Sequence, residues 1–120
     1  MTEPYSQGKT TVAPDVLVTI ARLSALSVPG VSRMAQVPGG VNRLFKRGIG
    51  DGVRIEVHDN LIRANLYLIL RQNVNIREVS RNVQQQVARA LQEMVGMDVG
   101  GIEIHVEDID MDEDLEAQSE

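Results

Sequence analysis

Val53-Arg-Ile-Glu-Val-His-Asp-Asn-Leu-Ile-Arg-Ala-Asn-Leu-Tyr-Leu-Ile-Leu-Arg71 is the stretch that decides the fold. Val53, Ile55 and Val57 alternate with Arg54, Glu56 and His58, the period of two that sends neighbouring side chains to opposite faces of a strand. Asp59 and Asn60 tolerate left-handed backbone and suit a two-residue hairpin turn. Beyond them the alternation resumes over residues 61–71. Ile62, Ala64, Leu66, Leu68 and Leu70 are expected to face inward, and Arg63, Asn65, Tyr67, Ile69 and Arg71 outward.

Downstream, Asn75 can cap a helix, and Glu78 stands three residues on, as in a capping box. Ile76, Val79, Val83, Val87, Ala90, Leu91, Met94 and Val95 repeat with the helical period, and Gly96 can supply a left-handed stop. Such a helix is about 30 Å long and covers a strand of nine or ten residues. A further strand is predicted over 101–107, with Ile102, Ile104 and Val106 inward. Upstream, Pro14 and Asp15 suit the first turn of a helix over 15–27. Its broad apolar stripe comprises Val16, Leu17, Ile20, Ala21, Leu23 and Ala25, and Pro29-Gly30 ends it. Residues 8–12 read as a short first strand. Residues 30–52 are the least regular stretch, expected as a loop holding about two helical turns.

The resulting order, strand-helix-strand-strand-helix-strand, predicts an α+β two-layer sandwich of split βαβ type. Both helices then lie on one face of a mainly antiparallel four-stranded sheet. The other face carries mostly charged residues around an apolar island of Tyr67 and Ile69. Either a protein partner or a second copy covers this face, or water solvates it.

At 120 residues the chain fits one domain, expected over 8–107, with a disordered N-terminus at 1–7 and an acidic disordered tail at 108–120. The net charge of −5 hides an asymmetry: residues 1–50 hold six Lys and Arg against two acids, and residues 51–120 six Arg against fifteen acids. Nine of those acids fall in 103–120, so the folded body is close to neutral. The chain has no cysteine, which excludes disulfides, thiolate metal sites and a Cys nucleophile and suits a reducing compartment. Its start has neither a basic nor an apolar leader region, and no run approaches the roughly 20 apolar residues of a membrane span. A soluble cytoplasmic protein is therefore expected.

No motif carries enzyme chemistry. Gly8-Lys9-Thr10 copies the end of a P-loop, but Glu3 stands where its first glycine belongs and no strand precedes it. Gly48-Ile-Gly50-Asp-Gly52 lacks the strand and spacing of a dinucleotide fingerprint. His58 and His105 are expected on opposite sheet edges, about 14 Å apart, too far to share a metal. Glu103, His105 and Glu107 share a face without an evident orienting partner, and Ser24, Ser27, Ser32 and Ser80 lack a His-acid pairing. No cofactor or small-molecule substrate is expected. The same strand order builds RNA recognition motifs, but those stack bases on aromatic residues, and this chain has only Tyr5, Phe45 and Tyr67. An RNA-associated module is the alternative reading.

Val41-Asn-Arg-Leu-Phe-Lys-Arg47 is amphipathic in miniature, with Val41, Leu44 and Phe45 on one side and Arg43, Lys46 and Arg47 on another. Arg43, Lys46 and Arg47 could dock on anionic lipid headgroups or an acidic partner; alternatively Phe45 plugs the core and the charges are solvated. The second reading is favoured, because two turns bury too little apolar area for stable anchoring. The acidic tail lacks the glycine and terminal glutamate of an EF-hand loop, which leaves a solubilising or electrostatic role.

Several segments in order resemble one family. They are Gly8-Lys-Thr-Thr-Val-Ala-Pro-Asp-Val-Leu17, Val28-Pro-Gly-Val31, Asn65-Leu-Tyr-Leu-Ile-Leu70, Val74-Asn-Ile-Arg-Glu-Val79, Met94-Val-Gly96 and Ile102-Glu-Ile-His-Val106. Together they resemble the bacterial alkaline shock protein family, also called the envelope stress response family, over residues 8–107. Two departures are Gln72-Asn73, where members often have an aromatic-Gly pair, and Arg77, where a Pro is common. The resemblance implies a non-enzymatic cytoplasmic protein, membrane-proximal in some members, that serves cell-envelope homeostasis through protein contacts. Arg43, Lys46, Arg47, Tyr67 and Ile69 are the candidate interaction residues.

Overall fold

A computed structural model of the chain describes residues 8–39 and 48–111. The elements run α1 (Pro14–Leu26), β1 (Val31–Met34), β2 (Ile49–Gly50), β3 (Val53–His58), β4 (Leu61–Arg71), α2 (Ile76–Val95) and β5 (Asp98–Asp110). The α+β sandwich is present, with a mainly antiparallel sheet of five strands. The hairpin forms as its alternation predicts. Asp59 and Asn60 take φ of 53° and 64°, and β3 pairs antiparallel with β4 from His58↔Leu61 to Val53↔Leu66.

Two predicted features change. Residues 8–12 lie outside the sheet, and the strand position falls to β1, within the stretch read as a loop. β4 is eleven residues long, so β3 occupies only the first half of one edge, and β1 pairs antiparallel along the rest, from Met34↔Leu68 to Val31↔Leu70. Four residues interrupted by a register shift leave no alternation to read, whereas a vacant edge on a buried strand leaves unpaired backbone groups that must be satisfied. The strand after α2 is longer than expected, reaching Asp110 rather than ending at Glu107, and it pairs with β4 in parallel along its whole length. A twenty-residue helix between two strands provides the crossover that parallel pairing needs.

The handover on β4 is made at Tyr67, whose N–H donates to the Gly52 carbonyl and whose carbonyl accepts from Ala35 N–H, both at 2.8 Å. Gly52 has φ 79°, and a Cβ there would press on the Ala35 and Tyr67 carbonyl oxygens and on Met34 Cβ. Only glycine fits where three chain segments meet.

The core lies between the inward face of the sheet and the two helices. Ile62, Ala64, Leu66, Leu68 and Leu70 of β4 meet Leu17, Val18, Ala21 and Ala25 of α1 and Val79, Val83, Val87 and Leu91 of α2. Fully burying an aliphatic side chain of this kind contributes roughly 1.5–3 kcal/mol. The ends of the predicted α2 stripe, Ile76 and Met94, are exposed. Asn75 caps α2 by accepting from Glu78 N–H at 2.9 Å, and Gly96 stops it with φ 77°. Asn73 adopts φ 64°, the left-handed conformation that glycine takes most readily and asparagine tolerates, so the turn into α2 keeps the shape a glycine would give.

Candidate contact face of the sheet

Cross-strand pairing arranges the face of the sheet away from the helices in rows. Glu56 stands opposite Arg63, Arg54 flanks Asn65 with Glu103 on the other side, and Tyr67 stands beside His105. Ile69 lies between Arg33 and Asp108, and Arg71 faces Asp110. A register shift after Leu68 puts Asp108 opposite Ile69, so the alternation expected through Glu107 breaks there. Arg33 of β1 and Arg54 of β3, with Glu56 as an exception, thus line one side of β4, and the acids Glu103, Asp108 and Asp110 of β5 the other.

The predicted apolar island is not open. Tyr67 is 7% and Ile69 8% exposed, although neither belongs to the main core. The Tyr67 ring stacks on His105, with centroids 4.5 Å apart and planes 12° apart, and His105 Nε2 lies 2.8 Å from Asn65 Oδ1. Because an amide oxygen only accepts, the imidazole donates in that contact. His105 therefore has two orienting neighbours that the sequence did not reveal, since both belong to the central strand with which β5 pairs in parallel. With one ring face taken and little surface left, Tyr67 offers no platform of the kind that single-stranded RNA stacks upon.

Beyond Ile69 an ion pair crosses β4. Arg33 of β1 donates from Nε and Nη2 to the two carboxylate oxygens of Asp110 at 3.0 and 3.1 Å, and Ser32 Oγ donates to the same carboxylate at 2.5 Å. These bonds, the Arg33 one first, hold the Asp110 carboxyl down to about 2 from its ordinary 3.8. The same pairing raises the Arg33 guanidinium further. Strand ends that share no direct pairing are thereby fastened across the sheet, with forked geometry that a lysine could not reproduce.

His58 and His105 belong to strands two spacings apart, roughly 9–10 Å, not the three expected. They also sit in different rows, opposite Leu61 and Tyr67 respectively, so they remain separated along the strands. Arg43, Lys46 and Arg47 fall outside the described residues, so the structure brings together only Tyr67 and Ile69 of the predicted interaction residues. Among the described residues no helix is long and apolar enough to cross a membrane.

A mixed sheet under two helices, with a mainly polar outer face crossed by the Arg33–Asp110 ion pair, defines the chain as a small α+β module. The model of the ASP23 (alkaline shock protein) family, described as having a cell envelope-related function, matches residues 2–111, and the chain belongs to that family. Among its relatives, the uncharacterized protein YqhY of Bacillus subtilis is 32% identical over 107 residues, covering 88% of this chain and 79% of its own length. The uncharacterized protein Spy1535 of Streptococcus pyogenes is 30% identical over 110 residues, covering 91% and 84%. Among solved structures, a variant of the MamM CTD superposes with TM-score 0.50 at 12% identity, over 78% of this chain and 94% of its own. At that identity the likeness concerns the fold alone.

Proposed function

We propose that this chain is a non-enzymatic contact module of cell-envelope homeostasis that works through protein partners at the cytoplasmic face of the membrane. The observation that carries this reading is the family match across residues 2–111 to a family with a cell envelope-related function. The contact face supports it: Arg33 with Asp110 and Asn65 with His105 are bonded to one another and not aimed at a common reacting point. Charged rows with a basic and an acidic side favour recognition of a protein surface by charge complementarity, which sets specificity and encounter rate more than raw affinity.

In-cell crosslinking followed by membrane fractionation tests the reading. The chain is expected in crosslinked complexes that sediment with the membrane, and its loss is expected to sensitise cells to wall-acting agents. Recovery solely as uncomplexed protein, with wild-type tolerance in cells lacking it, would overturn the proposal. Charge reversal at Glu103 together with Asp108 should reduce those crosslinks while leaving the thermal melt unchanged.

A further inference from the structure

We infer that the solvent-facing side of α1 is the docking site for a second copy of this chain, the two α1 helices crossing antiparallel about Thr19. Val16, Thr19, Leu23 and Leu26 recur at spacings of three, four and three, which places them on one side of the helix. Val16, Leu23 and Leu26 are 47%, 55% and 37% exposed, while Leu17, Val18, Ile20, Ala21 and Ala25 of the same helix are buried. A helix that is apolar on opposite sides is the pattern of one covered on both. Its sole polar member, Thr19, donates its hydroxyl to the Asp15 carbonyl at 3.1 Å, so the stripe carries no unsatisfied group into an interface.

The pattern fits its own copy. Alternating three- and four-residue spacing forms a seam that packs helices side by side at a shallow angle. In an antiparallel pair centred on Thr19, Val16 stands level with the partner's Arg22 and packs beside its Leu23 one residue further on, and Asp15 comes within about a turn of the partner's Arg22. Arg22 remains available for this: its buried Nε faces Asp51 at 3.6 Å, and the half-buried side chain makes no hydrogen bond among the described residues. A lipid surface fits less well, because α1 has Arg22 as its one cation, whereas interfacial helices flank their apolar side with several. About three turns of helix overlap are small for a protein interface, so the dimer is weak and concentration-dependent. The inference goes beyond the envelope reading and does not depend on it: a monomeric chain would leave that reading standing.

Sedimentation equilibrium of the full chain over rising concentration provides the test. Self-association is expected for the wild type, and Leu23→Asp should weaken it by about tenfold or more with the thermal melt unchanged. Because the chain has no cysteine, Thr19→Cys introduces a single thiol at the twofold centre. Under mild oxidation it should form a covalent dimer far faster than Arg81→Cys, placed on the exposed side of α2. A wild type that stays monomeric throughout, association indifferent to Leu23→Asp, or equal crosslinking at positions 19 and 81 would each overturn the proposal.

Discussion

α2 buries Val79, Val83, Val87 and Leu91 and, apart from Ile76 and Met94 near its two ends, turns charged residues such as Arg77, Arg81, Arg89 and Glu93 to water, whereas α1 buries one apolar row and exposes another along its length in Val16, Leu23 and Leu26. Both helices lie on the same sheet in a chain of 120 residues, so neither size nor position explains the contrast. α2 is also finished at both ends, by Asn75 and Gly96, while α1 begins at Pro14 with no side-chain cap. α2 has what a helix needs when one side meets solvent permanently. α1 has the composition of a helix whose outer side meets solvent only part of the time, and its boundaries rely on proline geometry and packing.

Truncation on the inward rows should produce the largest effects. Leu91→Ala removes a fully buried side chain and should cost about 2–5 kcal/mol in urea unfolding. Leu23→Ala, the same chemical change on the outer row of α1, should stay within about 0.5 kcal/mol for the monomer. Similar losses at the two positions would erase the distinction between the helices. The caps give a smaller contrast of opposite sign. Asn75→Ala should lose about 0.5–2 kcal/mol through the orphaned Glu78 N–H. Ala13→Asp, at an extended residue already poised as N-cap, should gain up to roughly 1 kcal/mol, read from the thermal midpoint.

The smallest effect concerns the sheet beneath the helices. Because Asp110 has a folded value of about 2 against an ordinary 3.8, its carboxylate stabilises the fold above the ordinary value, and that contribution disappears as pH falls towards the folded one. Urea midpoints measured between those limits should fall less steeply for Asp110→Asn than for the wild type. Arg33→Lys should fall between the two, since it loses the forked contact while keeping the charge and the Ser32 bond to Asp110.

Local patterns were readable wherever a segment's neighbours in sequence are also its partners in space. The alternation over residues 53–71 and the turn at Asp59-Asn60 predicted β3 and β4 with their register, and Asn75, Glu78 and Gly96 marked the ends of α2. Family membership was legible for a similar reason, as an ordered series of short segments. β1 was hidden because Val31-Ser-Arg-Met34 has no period of its own and becomes a strand by filling the edge that β3 leaves open. The two rows of α1 were hidden because a broad apolar stripe on a short helix does not say which of its sides the core will take.

The sequence by itself determined the hairpin, both helices, the two caps of α2 and the α+β class, since each follows from steric and hydrophobic preferences acting within about twenty residues. Only the tertiary structure decided that β5 joins β4 in parallel, that His105 stacks on Tyr67 and Arg33 pairs with Asp110 across β4, and that Val16, Leu23 and Leu26 face outward. Those outcomes depend on which distant backbone edge or side chain arrives alongside, and no periodicity within a segment encodes that.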